Sequence, residues 1–291
     1  MENNISEILK SVSDGDREAF HKLEELAEAG EPQALRELAI IFRDGKFGIQ
    51  ADGIKSVEYL TKEIARDKGK SLDEIADRYL KNGSGSDMND ANEYLSDLAE
   101  ICNLDVFQEI AKIFLDGRGG LKSNGQQALE YFFKAEEALD NAINFTKNFV
   151  ELNRPKVFRL IFRWGRRRKK NICRQIAEIF LEGRGGIPVD AHKAIEHLDK
   201  ASAFYKVAEI YRYGKAKVQP NPHKAIEYFL KYEAECNSDD NQNRAEAFRA
   251  VAEIYLTLDD GERALEFYRK SAALGNNDAK IKIAKLCGTD E

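Results

Sequence analysis

The 291-residue chain lacks any run near the roughly 18 consecutive apolar residues that a membrane span needs. Its start, MENNISEILKSVSDGDREAF, lacks the basic-then-apolar order of a secretion signal, so a cytoplasmic protein is expected. Only four cysteines are present (Cys102, Cys173, Cys236, Cys287), far apart and without a CxxC pair, which argues against a disulfide framework or a zinc site. No segment reads as a strand. No glycine loop has the GxxxxGK[ST] order of a phosphate cradle, and no Ser/His/Asp or Cys/His grouping is anchored to a motif. An enzyme is therefore not expected, nor is a cofactor or metal.

What the chain does have is repetition. EIAKIFLDGRGG at 109–120 returns as QIAEIFLEGRGG at 175–186, nine of twelve positions identical, at an offset of 66 that reads as two units of 33. Small residues at Ala39, Ala76, Ala111, Ala177, Ala208, Ala252 and Ala284 keep a comparable spacing, as in helix-pair arrays. Each unit runs from a helix through a glycine turn (Gly45, Gly83, Gly117, Gly183, Gly214) to a second helix such as QQALEYFFKA (126–135), HKAIEHLDKA (192–201) or HKAIEYFLKY (223–232). Apolar residues at i, i+3, i+4 and i+7 give the helical period. Ala91, Ala128, Ala194, Ala225 and Ala264 mark where helix backbones approach closely. Pro188, Pro220 and Pro222 sit where a second helix starts or a first one ends. His192 and His223 share one repeat slot, so register explains them better than metal binding.

The segment AEIFLEGRGGIPVDAHKAIEHLDKA at 177–201 resembles a Sel-one-like repeat (SLR), a relative of the tetratricopeptide repeat. The resemblance runs from about 16 to 287, and the chain lacks the paired cysteines of the family's secreted branch. It implies an all-α, right-handed superhelical solenoid of about seven helix-turn-helix repeats plus a C-terminal capping helix, forming one domain over 1–291. The expected units are a partial one at 16–32, then 33–70, 71–104, 105–139, 140–171, 172–203, 204–243 and 244–276, with a cap at 277–291. Polar sequence at both ends reads as capping. The family's role is scaffold or adaptor, so a protein partner and no single reaction is implied.

Tetratricopeptide geometry would put positions three before, one after and four after each anchoring alanine in the groove. These include Arg36, Ile40 and Arg43; Asp73 and Asp77; Gln108 and Lys112; Arg174 and Glu178; Tyr205, Glu209 and Arg212; Arg249 and Glu253. Their mixed charge suits a protein segment better than a metabolite, although i, i+4 pairing on solvated faces explains them too.

The fourth unit, 140–171, lacks the glycine turn. Ten basic and no acidic residues lie between Arg154 and Arg174, so with a formal charge of −6 overall, everything outside that stretch sums to −16. Arg159, Arg163, Trp164, Arg166, Arg167, Arg168, Lys169 and Lys170 form the candidate patch. It is read as a dock for an acidic protein segment, as a nucleic-acid contact, or as an ordinary helix whose cations offset acidic neighbours. An immunity or inhibitor protein, whose acidic remainder covers a basic toxin or enzyme, is the second functional class.

Overall fold

The computed structural model describes residues 5–67, 97–98, 102–150, 155–237 and 240–288. These are all-helical, with thirteen α-helices among the described residues. They are α1 (Ile5–Ser13), α2 (Arg17–Glu28), α3 (Pro32–Asp44), α4 (Gly53–Asp67), α5 (Leu104–Asp116), α6 (Gly125–Val150) and α7 (Pro155–Glu182). Then come α8 (Ala191–Lys200), α9 (Phe204–Tyr213), α10 (Pro222–Glu235), α11 (Asn241–Thr257), α12 (Gly261–Ala273) and α13 (Asn277–Cys287). The chain groups into two compact units, Met1–Ile172 with Arg184–Ile187, and Cys173–Gly183 with Pro188–Glu291. Consecutive helices pack in pairs: α3 on α4 and α5 on α6 in the first unit, α9 on α10 and α11 on α12 in the second.

One local device recurs. Gly45, Gly117 and Gly214 end α3, α5 and α9 in the left-handed conformation, at φ 67°, 67° and 69°. That conformation costs glycine nothing. An Asp or Asn then caps the second helix: Asp52, Asn124, Asp190 and Asn221 each accept from a backbone N–H two or three residues on. The amide of each capping residue also donates back to the carbonyl of an aromatic residue, Phe42, Phe114, Phe180 or Tyr211, at 2.7–3.0 Å. The same aromatic stacks on a ring of the second helix, giving Phe42 on Tyr59, Phe114 on Tyr131, Phe180 on His197 and Tyr211 on Tyr228, with centroids 5.8–6.2 Å apart. His197 thus fills the tyrosine slot of its repeat.

Most alanine registers are fully buried: Ala111, Ala177, Ala208 and Ala252 in first helices, Ala128, Ala194, Ala225 and Ala264 in second helices, with Ala39 also buried and Ala284 only half-buried. Ala76, Ala91 and Gly83 lie outside the described residues. The expected C-terminal capping helix is α13. At the N-terminus, α1 is not merely polar cover, since Ile5, Ile8 and Val12 are buried in a cluster with Leu23, Ala27 and Leu35.

The turns between paired helices also pack on neighbouring helices. Gly119, in the turn Arg118–Gly120, lies so close to Gly53 at the start of α4 that a Cβ on it would overlap the Gly53 backbone. The turn after α5 therefore packs directly on the start of α4. Gly185 meets Gly125 at the start of α6 in the same way. The expected unit at 140–171 has no glycine turn of its own. Residues 140–171 instead finish α6 and begin α7. With no glycine to end a helix after 139, α6 runs on, and α7 returns beside it.

Candidate partner-binding surfaces

In the first unit, Arg36, Ile40 and Arg43 share one cleft of about 330 Å³ among α3, α4 and α5. Ala39, Leu60 and Val106 supply apolar wall, and Asp105, Glu109 and Glu63 supply charge. Arg36 Nε donates to Glu63 Oε1 at 2.6 Å. Arg43 grips both oxygens of Asp44, at 2.6 and 2.7 Å, and reaches Glu109 Oε1 at 2.5 Å. The Arg43 hydrogen bonds hold the Asp44 carboxyl down at about 2, while Asp44 and Glu109 raise the Arg43 guanidinium further. The cleft is thus a small apolar socket with a rigid, ion-paired rim.

Four further groove positions belong to this part of the chain. Gln108 is buried, and its amide donates to the Leu104 carbonyl at 3.2 Å. It is enclosed because α5 packs against α4, α6 and the 184–186 turn. Lys112 is half-buried; Asp73 and Asp77 lie outside the described residues.

In the second unit the groove positions are largely wired to one another. Arg212 meets Glu253 at 2.7 Å, and Arg249 joins Glu253 and Glu246. Hydrogen bonding to Glu246 is the main reason the Arg249 guanidinium is raised. Glu178 pairs with Lys206 at 3.0 Å and Glu209 with Lys215 at 3.9 Å, while Arg174 is exposed. Tyr205 lies edge-on to Phe229 and Tyr232. Sequence reading missed Tyr268, a fully buried side chain whose hydroxyl has no hydrogen-bond partner among the described residues. Burial, then the field of Glu253, raises its phenol.

The basic segment divides into two sets. Arg168 Nη1 donates to Asp105 of α5 at 2.5 Å, and Lys169 Nζ binds Asp140 of α6 at 2.6 Å, with Glu136 at 3.7 Å. These tie α7 to its neighbours. Gly165 faces α6 so closely that a Cβ would stand 2.5 Å from Ile143 Cδ1. Arg159, Arg163, Arg166 and Arg167 are exposed, with no ion-pair partner among the described residues. Lys170 is half-buried, as is Trp164, over which the Arg168 guanidinium lies at 5.6 Å. No sequence signal separated the two sets, since Asp105 is 63 residues from Arg168 and Asp140 is 29 from Lys169.

Among the described residues no helix is long and apolar enough to cross a membrane. The family model described as "Sel1 repeat" matches residues 32–62, 109–138, 173–203, 201–231 and 254–276, passing over 63–108, 139–172 and 232–253. Two solved structures are similar. A protective antigen of uropathogenic Escherichia coli displaying an SLR fold is 16% identical, covering 97% of this chain and 67% of the antigen, at a TM-score of 0.34. A Sel1 repeat protein from Oxalobacter formigenes is 13% identical, covering 83% of this chain and 85% of that one, at a TM-score of 0.32. No curated protein matches. Matched five times over, four of them at helix pairs that share one glycine turn, one capping residue and one ring stack, the chain belongs to the Sel1 repeat family, whose members are generally protein-interaction scaffolds.

Proposed function

We propose that the protein is a non-enzymatic adaptor or regulator of the cytoplasm that holds a protein partner on its first-helix face, with the basic 140–171 segment setting specificity. The supporting observation is the convergence of Arg36, Ile40 and Arg43 on one cleft with an apolar wall and a paired, rigid rim. Such a socket suits a single anchoring side chain of a partner, because the rim charges are already oriented and their ordering is not charged to binding. The test is partner capture from native-host extract. Ile40→Glu, with unchanged helical circular dichroism, abolishes it; capture equal to wild type overturns the reading.

A second reading, an immunity or inhibitor protein, draws on the −16 charge outside the basic stretch, which complements a basic toxin or enzyme. A toxin gene beside this one favours inhibition, and a signalling or secretion operon favours the adaptor.

A further inference from the structure

Arg159, Arg163, Arg166 and Arg167 recur at i, i+4, i+7 and i+8 on α7, which places them on one helix face. Arg168 and Lys169 are turned away from that face into ion pairs with α5 and α6. In the free protein the four exposed guanidinium groups repel one another, and like charges at this spacing destabilise a helix. Nothing among the described residues offsets that repulsion with an ion pair. The face is edged by aromatic side chains. Phe162, 43% exposed, flanks Arg166, whose guanidinium lies 4.8 Å from its ring centroid. Trp164 flanks Arg167 on the other side.

We infer that this face of α7 docks an acidic, helix-forming segment of a protein partner; the proposal deepens the adaptor reading and rests on it. Arg159 to Arg167 spans eight residues, about 12 Å along the axis. A helix laid alongside has the same rise, so carboxylates at i, i+4 and i+7 meet the arginines in register, each able to accept two parallel N–H bonds. The aromatic edges take up the apolar flanks of such a helix and keep water from the pairs. A long polyanion fits less well. The exposed arginines span only about 12 Å, and the charge outside the basic stretch sums to −16.

The test uses the full chain and an alanine-rich peptide of about 18 residues with glutamates on one helical face. Its readout is the emission of Trp164, the sole tryptophan. A peptide of identical composition with the glutamates spread around the helix, and a single-stranded RNA of equal charge, serve as comparisons. The one-face peptide binds about ten-fold more tightly than the dispersed one, and gains helicity. Changing Arg159, Arg163, Arg166 and Arg167 together to Gln weakens it at least ten-fold, and Arg163→Gln alone weakens it measurably should the quadruple variant fold poorly. Equal binding of the two peptides, or no effect of these changes, overturns the proposal. So does tighter binding of the RNA, which assigns the face to nucleic acid. If Ile40-dependent capture persists while the peptide test fails, the stripe proposal alone falls; if that capture is absent too, the adaptor reading falls with it.

Discussion

The repeat at 109–138 and the segment 140–171 that follows it both lay one helix on another, and they do so by opposite means. In the repeat, Gly117 stops the first helix, Asn124 starts the second, and Phe114 stacks on Tyr131. Its turn is locked onto the preceding repeat, glycine against glycine, and Arg184 of the next turn reaches back to Asp116 at 2.7 Å. In the segment there is no such turn; α6 and α7 simply run on, touching through Gly165 and Ile143 and pinned by Lys169. The difference teaches where charge is spent. Of the matched repeats' charges described above, most close on one another, whereas the segment leaves one helix face of arginines uncompensated.

Breaking the repeat side should have the largest effect. Gly119→Ala or Gly185→Ala forces a Cβ into a neighbouring backbone and strains a positive φ, so a loss of about 3 kcal/mol or more is expected by denaturant unfolding. Gly120→Ala is the internal control. No atom lies within 4 Å of its added Cβ, leaving only the strain of φ 75°, about 1 to 2 kcal/mol. Equal losses would mean that the turns do not interlock. Next in size, Ala194→Leu or Ala225→Leu overpacks a fully buried helix contact by about 1 to 3 kcal/mol, lowering the melting temperature. On the segment side, Gly165→Ala meets side-chain atoms alone, Ile143 Cδ1 and Cγ1 at 2.5 and 2.7 Å, and should cost less than the backbone clashes, about 1 to 2 kcal/mol.

The smallest effect is a pH dependence. The Asp44 carboxyl is depressed in the folded state, so its contribution is fully present above the unfolded value near 4 and is lost as pH falls toward about 2. Asp44→Asn should flatten the stability profile across that window and leave it little changed near neutrality in shape. An unaltered slope would mean that the Arg43 grip does not persist in solution.

The helix pairs and their glycine ends were legible because each rests on local spacing, 3.6-residue periodicity and one left-handed residue. So was the burial of Ala194 and Ala225. The helix α1 was legible too, in Ile5, Ile8 and Val12, but its surrounding polar residues pointed to a cap. The 140–171 segment was harder. Loss of a glycine turn reads equally as a degenerate pair or as two longer helices, and only packing decides. Gln108 follows the groove rule by position and is buried by neighbours that the rule does not see. The sorting of Arg168 and Lys169 from Arg159, Arg163, Arg166 and Arg167 was invisible because their partners lie on other helices.

That sorting is tested most directly by hydrogen exchange over 159–170 in two full-length variants. In one, Arg159, Arg163, Arg166 and Arg167 become Gln; in the other, Arg168 and Lys169 do. Protection equal to or above wild type in the first, since the like-charge repulsion is relieved, and faster exchange in the second is the result expected if the exposed face has no part in holding the fold. Faster exchange in the first, with the second unchanged, would contradict the division on which the partner-binding account stands.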